Sequence, residues 1–167
     1  MTKKIKLTQG KFALVDDADF DWLNQWKWYA QKQRNTFYAV RNVRVGLKQK
    51  IVKMHRLILG LDFDDGRQGD HINMDTLDNR RANLRIAIHA QNQRNRGRNA
   101  NNTSGYKGVY WNKQKKKWRA YIKVNGKQKY LGYFDDPIKA ARAYDEAAKK
   151  HHKEFAQMNQ MELNRGQ

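Results

Sequence analysis

Short alternating runs of apolar and polar residues dominate this chain, and long helical stretches are few. KFALV followed by DDADFDWLNQ reads as a strand running into a helix, with Asp16 or Asp17 placed to cap it and further carboxylates near its positive end. KWYAQ and TFYAVRNV repeat the two-residue period of strands, while KIVKMHRLILGL is an apolar run that fits a strand or a short helix. Farther along, Lys107–Trp111, Lys117–Val124 and Lys127–Tyr133 form three short strands. The last two are joined across Asn125-Gly126, a pair suited to a two-residue type I′ turn because both positions need positive φ. DDPIKAARAYDEAAKKHHK then predicts a helix with Asp135 or Asp136 at the N-cap, Pro137 at N1 and Lys/His at its end. Ala140, Ala143, Ala147 and Tyr144 share the face expected to approach the sheet.

Composition sharpens this picture. The 167 residues suit one compact domain or two small ones, and five Trp, eight Tyr and six Phe argue against disorder. With 35 Lys+Arg against 16 Asp+Glu, the net charge of +19 favours a polyanionic partner, because bound phosphates release condensed counterions. A basic protein held in a larger assembly is the plainer alternative. Cysteine is absent, which excludes disulfides and thiolate zinc sites. The start MTKKIKLTQGKF has no apolar signal region, and no run approaches the ~20 apolar residues of a membrane span, so a cytoplasmic protein without a membrane partner is expected.

Charge is also uneven. No acidic residue occurs between Asp78 and Asp135, an interval with 15 Lys or Arg. Tyr106, Tyr110, Trp111, Trp118, Tyr121 and Tyr130 fall in it at strand-like spacing, so part of the block must fold. RNRGRNANNTSG, nearly free of apolar residues, marks the seam between two basic halves.

SGYKGVYW, KKWRAYI, KYLGYF and PIKAARAYDEAA together resemble the AP2 DNA-binding domain, over about 55 residues from Ser104 to Asn159. The resemblance implies a three-stranded sheet lying in the major groove of double-stranded DNA, a geometry that groove admits. Lys107, Tyr110, Arg119, Tyr121, Lys123 and Tyr130 then occupy the DNA-facing positions, with Lys127 beside them on the hairpin. Lys107 and Tyr110 stand where plant members usually have Arg, and Tyr130 where they have Trp. Lysine lacks the bidentate fork that arginine offers guanine, so the plant target sequence does not transfer.

GDHIN, NRRANLR and HAQNQRN, with MHRLI upstream, resemble the HNH (His-Me finger) nuclease motif of phage and intron-encoded homing endonucleases. His71, at a strand end, has a side chain of near-neutral intrinsic pKa and is the candidate general base. The resemblance implies that Asp70 and Asn92 hold one divalent ion, and this carboxylate-plus-amide pair suits Mg²⁺ or Mn²⁺. Asn83 is read as a loop brace for His71, and Arg94 and Arg96 as phosphate contacts. Asn92 stands where the family commonly has His, which leaves Asn95, one turn away, as a rival ligand. His55 is either a phosphate contact or a packed histidine, and His89 is open between a site role and none. A polar turn at Asp70-His71 is the plain alternative to the whole constellation.

The expected class is therefore α+β: a ββα-metal nuclease domain at residues 1–96, a linker at 97–104 and an AP2-type domain at 105–160. Within the first, residues 1–50 are accessory strands and helix, and 51–96 the HNH core. The expected function is site-specific DNA cleavage without a small-molecule cofactor, a monomer nicking and a homodimer cutting both strands. A catalytically silent DNA-binding regulator on the same scaffold is the alternative.

Overall fold

The computed structural model describes residues 1–95, 97 and 101–159, with the backbone alone at 93 and 94. It is a mixed α and β protein of small antiparallel sheets and a few helices, in two units, Met1–Asn92 and Gln93–Gln167.

In the first unit, β1 (Thr2–Lys6) pairs antiparallel with β2 (Phe12–Asp16), which runs directly into α1 (Asp17–Asn24). Ala13 and Val15 of β2 are fully buried while Phe12 is exposed, as a two-residue period requires. Asp16 is the N-cap residue, but neither expected aspartate caps the helix by its side chain. The Asp16 carboxylate accepts from the Arg81 backbone N–H at 2.8 Å, and Asp17 pairs with Lys3. A meander of β3 (Tyr29–Gln33), β4 (Thr36–Val45) and β5 (Lys48–Lys53) follows. The ambiguous apolar run resolves as both elements, since β5 ends at extended Lys53 and α2 (Met54–Ile58) starts at once, burying Met54, His55 and Ile58. The hairpin β6 (Gln68–His71) and β7 (Leu84–Ala87) precedes α3 (His89–Asn95). Leu23, Trp28, Met54, Ile58 and Leu84 join these pieces in one core.

The second unit has a sheet in the order β10 (Lys127–Phe134), β9 (Lys117–Val124), β8 (Val109–Asn112), followed by α4 (Pro137–His152). The first of these strands starts two residues later than its sequence suggests, because Gly108 sits at φ +77°. Asn125 and Gly126 both take positive φ, as the two-residue turn demands. Asp136 caps α4 by accepting from the Ile138 N–H at 2.8 Å, with Pro137 next. The buried face of α4 is rotated by about a residue from expectation. It holds Ala140, Ala141, Tyr144, Asp145 and Ala148, while Ala143 and Ala147 are only half-buried. Asp145 is tolerated there because its Oδ1 accepts from both the Asn159 backbone and side-chain N–H groups.

Candidate functional site

His71 is the last residue of β6. Asn79 donates its Nδ2 to the Leu77 carbonyl at 3.1 Å, which turns its Oδ1 toward the imidazole. His71 Nε2–H then donates to that oxygen at 3.3 Å, so the basic lone pair belongs to Nδ1. The loop carrying Asn79 is itself pinned to β2, with Leu14 N–H bonded to Leu77 O and Asn79 N–H to Leu14 O, each at 2.8 Å. Asn83 acts as a brace: its Oδ1 accepts from the Asn73 N–H, its Nδ2 donates to Asp78 O, and its carbonyl accepts from the Ile72 N–H. These bonds hold the backbone that follows His71, whereas the ring answers to Asn79, a residue the sequence reading did not single out.

Aromatic rings enclose the imidazole. The His55 and His71 centroids lie 4.7 Å apart, and Tyr38 of β4 stands 5.7 Å from the first and 6.3 Å from the second. This settles His55 as a packed histidine, 5% exposed. A Cβ at residue 69 would come within 2.5 Å of the His55 ring, so glycine there is what lets β6 press against α2. His71 is also only 5% exposed, and burial is the main cause of its lowered pKa, partly offset by the Asn79 bond and the carboxylates of Asp70, Asp75 and Asp78. The imidazole is thus kept neutral, the form a general base needs.

Asp70 lies on the other side of β6, since successive strand side chains alternate. Its partner across the sheet is Arg85, which reaches Asp70 Oδ2 with both Nε and Nη2 at 2.8 Å. Gln68, two residues before Asp70, shares its face and clasps α3, accepting from Asn92 Nδ2 at 2.8 Å and standing 3.2 Å from His89 Nδ1. Asn92 is thereby docked on the face of β6 that carries Asp70, with its amide nitrogen turned to Gln68. One carboxylate oxygen and one amide oxygen are hard donors that fit a magnesium-like ion, although Asp70 already answers a guanidinium. Arg94 lies in α3 with its side chain outside the described residues, and Arg96 lies outside them altogether. Asn95 is described and buried.

The sheet of the second unit presents two different faces. Register places Tyr110 opposite Arg119, Arg119 opposite Tyr133, Tyr121 opposite Tyr130 and Lys123 opposite Gln128, so these residues share the side away from α4. Tyr110 and Tyr121 stack at 4.9 Å, the Arg119 guanidinium lies 5.4 Å from the Tyr121 ring, and Tyr130 contacts Tyr133 at 5.3 Å. A bulge at Leu131 brings Tyr130 and Tyr133, three residues apart, onto one face. Lys127 pairs with Val124 and so lies on the helix side of the sheet, with Ile122 and Lys129. Lys107 precedes β8, its backbone held by Asn159, and burial lowers its pKa to about 8.

No helix among the described residues is long and apolar enough to cross a membrane. No solved structure matches the chain. Protein 3.8 of Escherichia phage T7 is 39% identical over 59 residues, 35% of this chain and 49% of that protein. An AP2-like ethylene-responsive transcription factor of Arabidopsis thaliana is 48% identical over 48 residues, 29% of this chain and 10% of that protein. APETALA2-like protein 2 of Oryza sativa subsp. indica matches to the same identity and covers 11% of its own length. The chain thus spans about half of the phage protein and about a tenth of the plant ones. The family match runs over residues 104–154, taking in the three-stranded sheet and α4 just described: that segment is an AP2 domain, which implies binding to DNA.

Proposed function

We propose that this protein is a DNA endonuclease of the HNH type, bound to double-stranded DNA by its AP2 domain and cleaving with the His71 site. The observation that supports it most is the 3.3 Å contact of His71 Nε2 with the Asn79 amide oxygen at the end of β6, with Asn83 bracing the loop beyond. In the reaction His71 Nδ1 takes a proton from water as the water oxygen bonds to phosphorus. The bond from phosphorus to the 3′ oxygen breaks, and that oxygen takes a proton from solvent. Asp70 and Asn92 would hold one Mg²⁺ or Mn²⁺, which when bound stabilises negative charge on the phosphate. Arg119, Tyr121, Lys123 and Tyr130 on the outer sheet face carry the DNA contact, with Tyr110 and Tyr133 beside them.

A second reading, a catalytically silent DNA-binding regulator, is favoured by the enclosure of His71 and by the Arg85 pair on Asp70. One experiment separates the two. Sequences bound from a random duplex pool are cloned into supercoiled plasmid and incubated with Mg²⁺ or with EDTA. Metal-dependent conversion to open circle or linear DNA, lost in His71→Ala, supports the nuclease. Tight binding without conversion supports the regulator.

A further inference from the structure

Lys53, the last residue of β5, is a half-buried cation in the first unit. It pairs in register with Val40, which puts it on the same sheet face as Tyr38 and, through the Gln33–Thr36 pair, Gln33. Its Nζ donates to Gln33 Oε1 at 3.2 Å and stands 4.6 Å from the Tyr38 ring centroid. Tyr38 in turn touches both His55 and His71. Among the described residues no carboxylate pairs with Lys53, although five other Lys or Arg side chains on the same unit have one. Burial, with a smaller contribution from Arg56, lowers its pKa, which marks an ammonium whose lost hydration is not repaid by an anion in the protein itself.

We propose that Lys53, held in place by Gln33 and the Tyr38 ring, is the anchor for a backbone phosphate of DNA beside His71. An ammonium has three N–H donors, and a neutral amide satisfies only one of them. A phosphate oxygen would supply the missing charge, and the aromatic face keeps the stem from swinging away. Its use in positioning the scissile strand rests on the proposed nuclease reading, whereas the anion site itself does not.

The test follows the His55 ring signals by NMR in EDTA at constant ionic strength, during titration with inorganic phosphate and, separately, with a short duplex. The wild-type protein should show a saturable shift with both. Lys53→Met should weaken the phosphate response about tenfold, while Lys53→Arg, which keeps the cation, should stay within about threefold. An unchanged response in Lys53→Met, or no saturable shift in the wild type, overturns the inference. A shift with phosphate but none with duplex also overturns it, since the site would then take free phosphate only. Plasmid cleavage by the same wild-type sample is scored apart: a Lys53-dependent shift without cleavage keeps the anion site and removes the nuclease reading.

Discussion

Asn79 turns its carbonyl oxygen to Nε2 of His71 at 3.3 Å, and the amide cannot flip without losing its own bond to Leu77. This relationship decides which imidazole nitrogen is basic. Replacing Asn79 by Asp puts a negative charge where a neutral oxygen stood and favours the imidazolium. The His71 pKa, which burial now holds low, should rise in Asn79→Asp, as read from the pH titration of its ring signals. With the base more often protonated at neutral pH, single-turnover cleavage should fall by roughly 10- to 100-fold and recover at higher pH. A pKa equal to or below that of the wild type would show that the Asn79 oxygen does not govern the ring.

The Asp70–Arg85 pair makes the second prediction. Both side chains are largely buried, at 6% and 14% exposed, so removing one takes a buried ion-pair partner from the other. Arg85→Ala should destabilise the first unit by roughly 3 kcal/mol, measured by denaturant unfolding. If Asp70 and Asn92 take a divalent ion, Mn²⁺ should raise the melting temperature of Arg85→Ala by more than that of the wild type. Adding Asp70→Asn to that variant should abolish the difference. Equal Mn²⁺ shifts in all three proteins would dissociate Asp70 from the metal.

The strands were legible where the two-residue period meets a known turn, and α4 where Asp136-Pro137 marks its start. The parity of Lys127 was also available: a two-residue turn at Asn125-Gly126 pairs Val124 with Lys127, which sends Lys127 to the buried side's face. The bulge at Leu131 was not available, because an extra residue leaves no mark in an alternating pattern of Tyr, Leu and Gly. At the His71 site, the resemblance to the HNH motif pointed to Asp70, Asn83 and Asn92. Asn79 and Tyr38 act through tertiary contacts, one through a loop pinned by Leu14 and the other from a strand more than thirty residues upstream, and local sequence carries no sign of either.

His55 supplies a pH dependence of stability. Its pKa lies well below 6.5, through burial first and then the charges of His71, Lys53 and Arg56, with Tyr38 packed beside it. Below pH 6.5 the unfolded chain takes up a proton that folded His55 refuses, so stability is complete above that value and is lost as pH falls toward the folded pKa. The melting temperature of the first unit should therefore drop between pH 7 and 5. His55→Gln, neutral throughout, should show a shallower slope in the same scan. Parallel slopes would assign the loss to other groups.

The two faces of the AP2 sheet predict opposite outcomes for two lysines only four residues apart. Lys123 is exposed on the face with Arg119, Tyr121 and Tyr130, whereas Lys127 is exposed on the side of α4. A lysine that neutralises a phosphate contributes about one unit to the salt dependence of binding. Lys123→Ala should therefore weaken binding to a selected duplex and lower the slope of log affinity against log salt by about 1, as measured by fluorescence anisotropy across a NaCl series. Lys127→Ala should leave both the slope and the ranking of sequences where they were. Since each variant removes one positive charge, net charge cannot separate them, and only the side of the sheet that meets DNA can. Equal losses from the two substitutions would mean that the DNA wraps the hairpin tip instead of lying on one face.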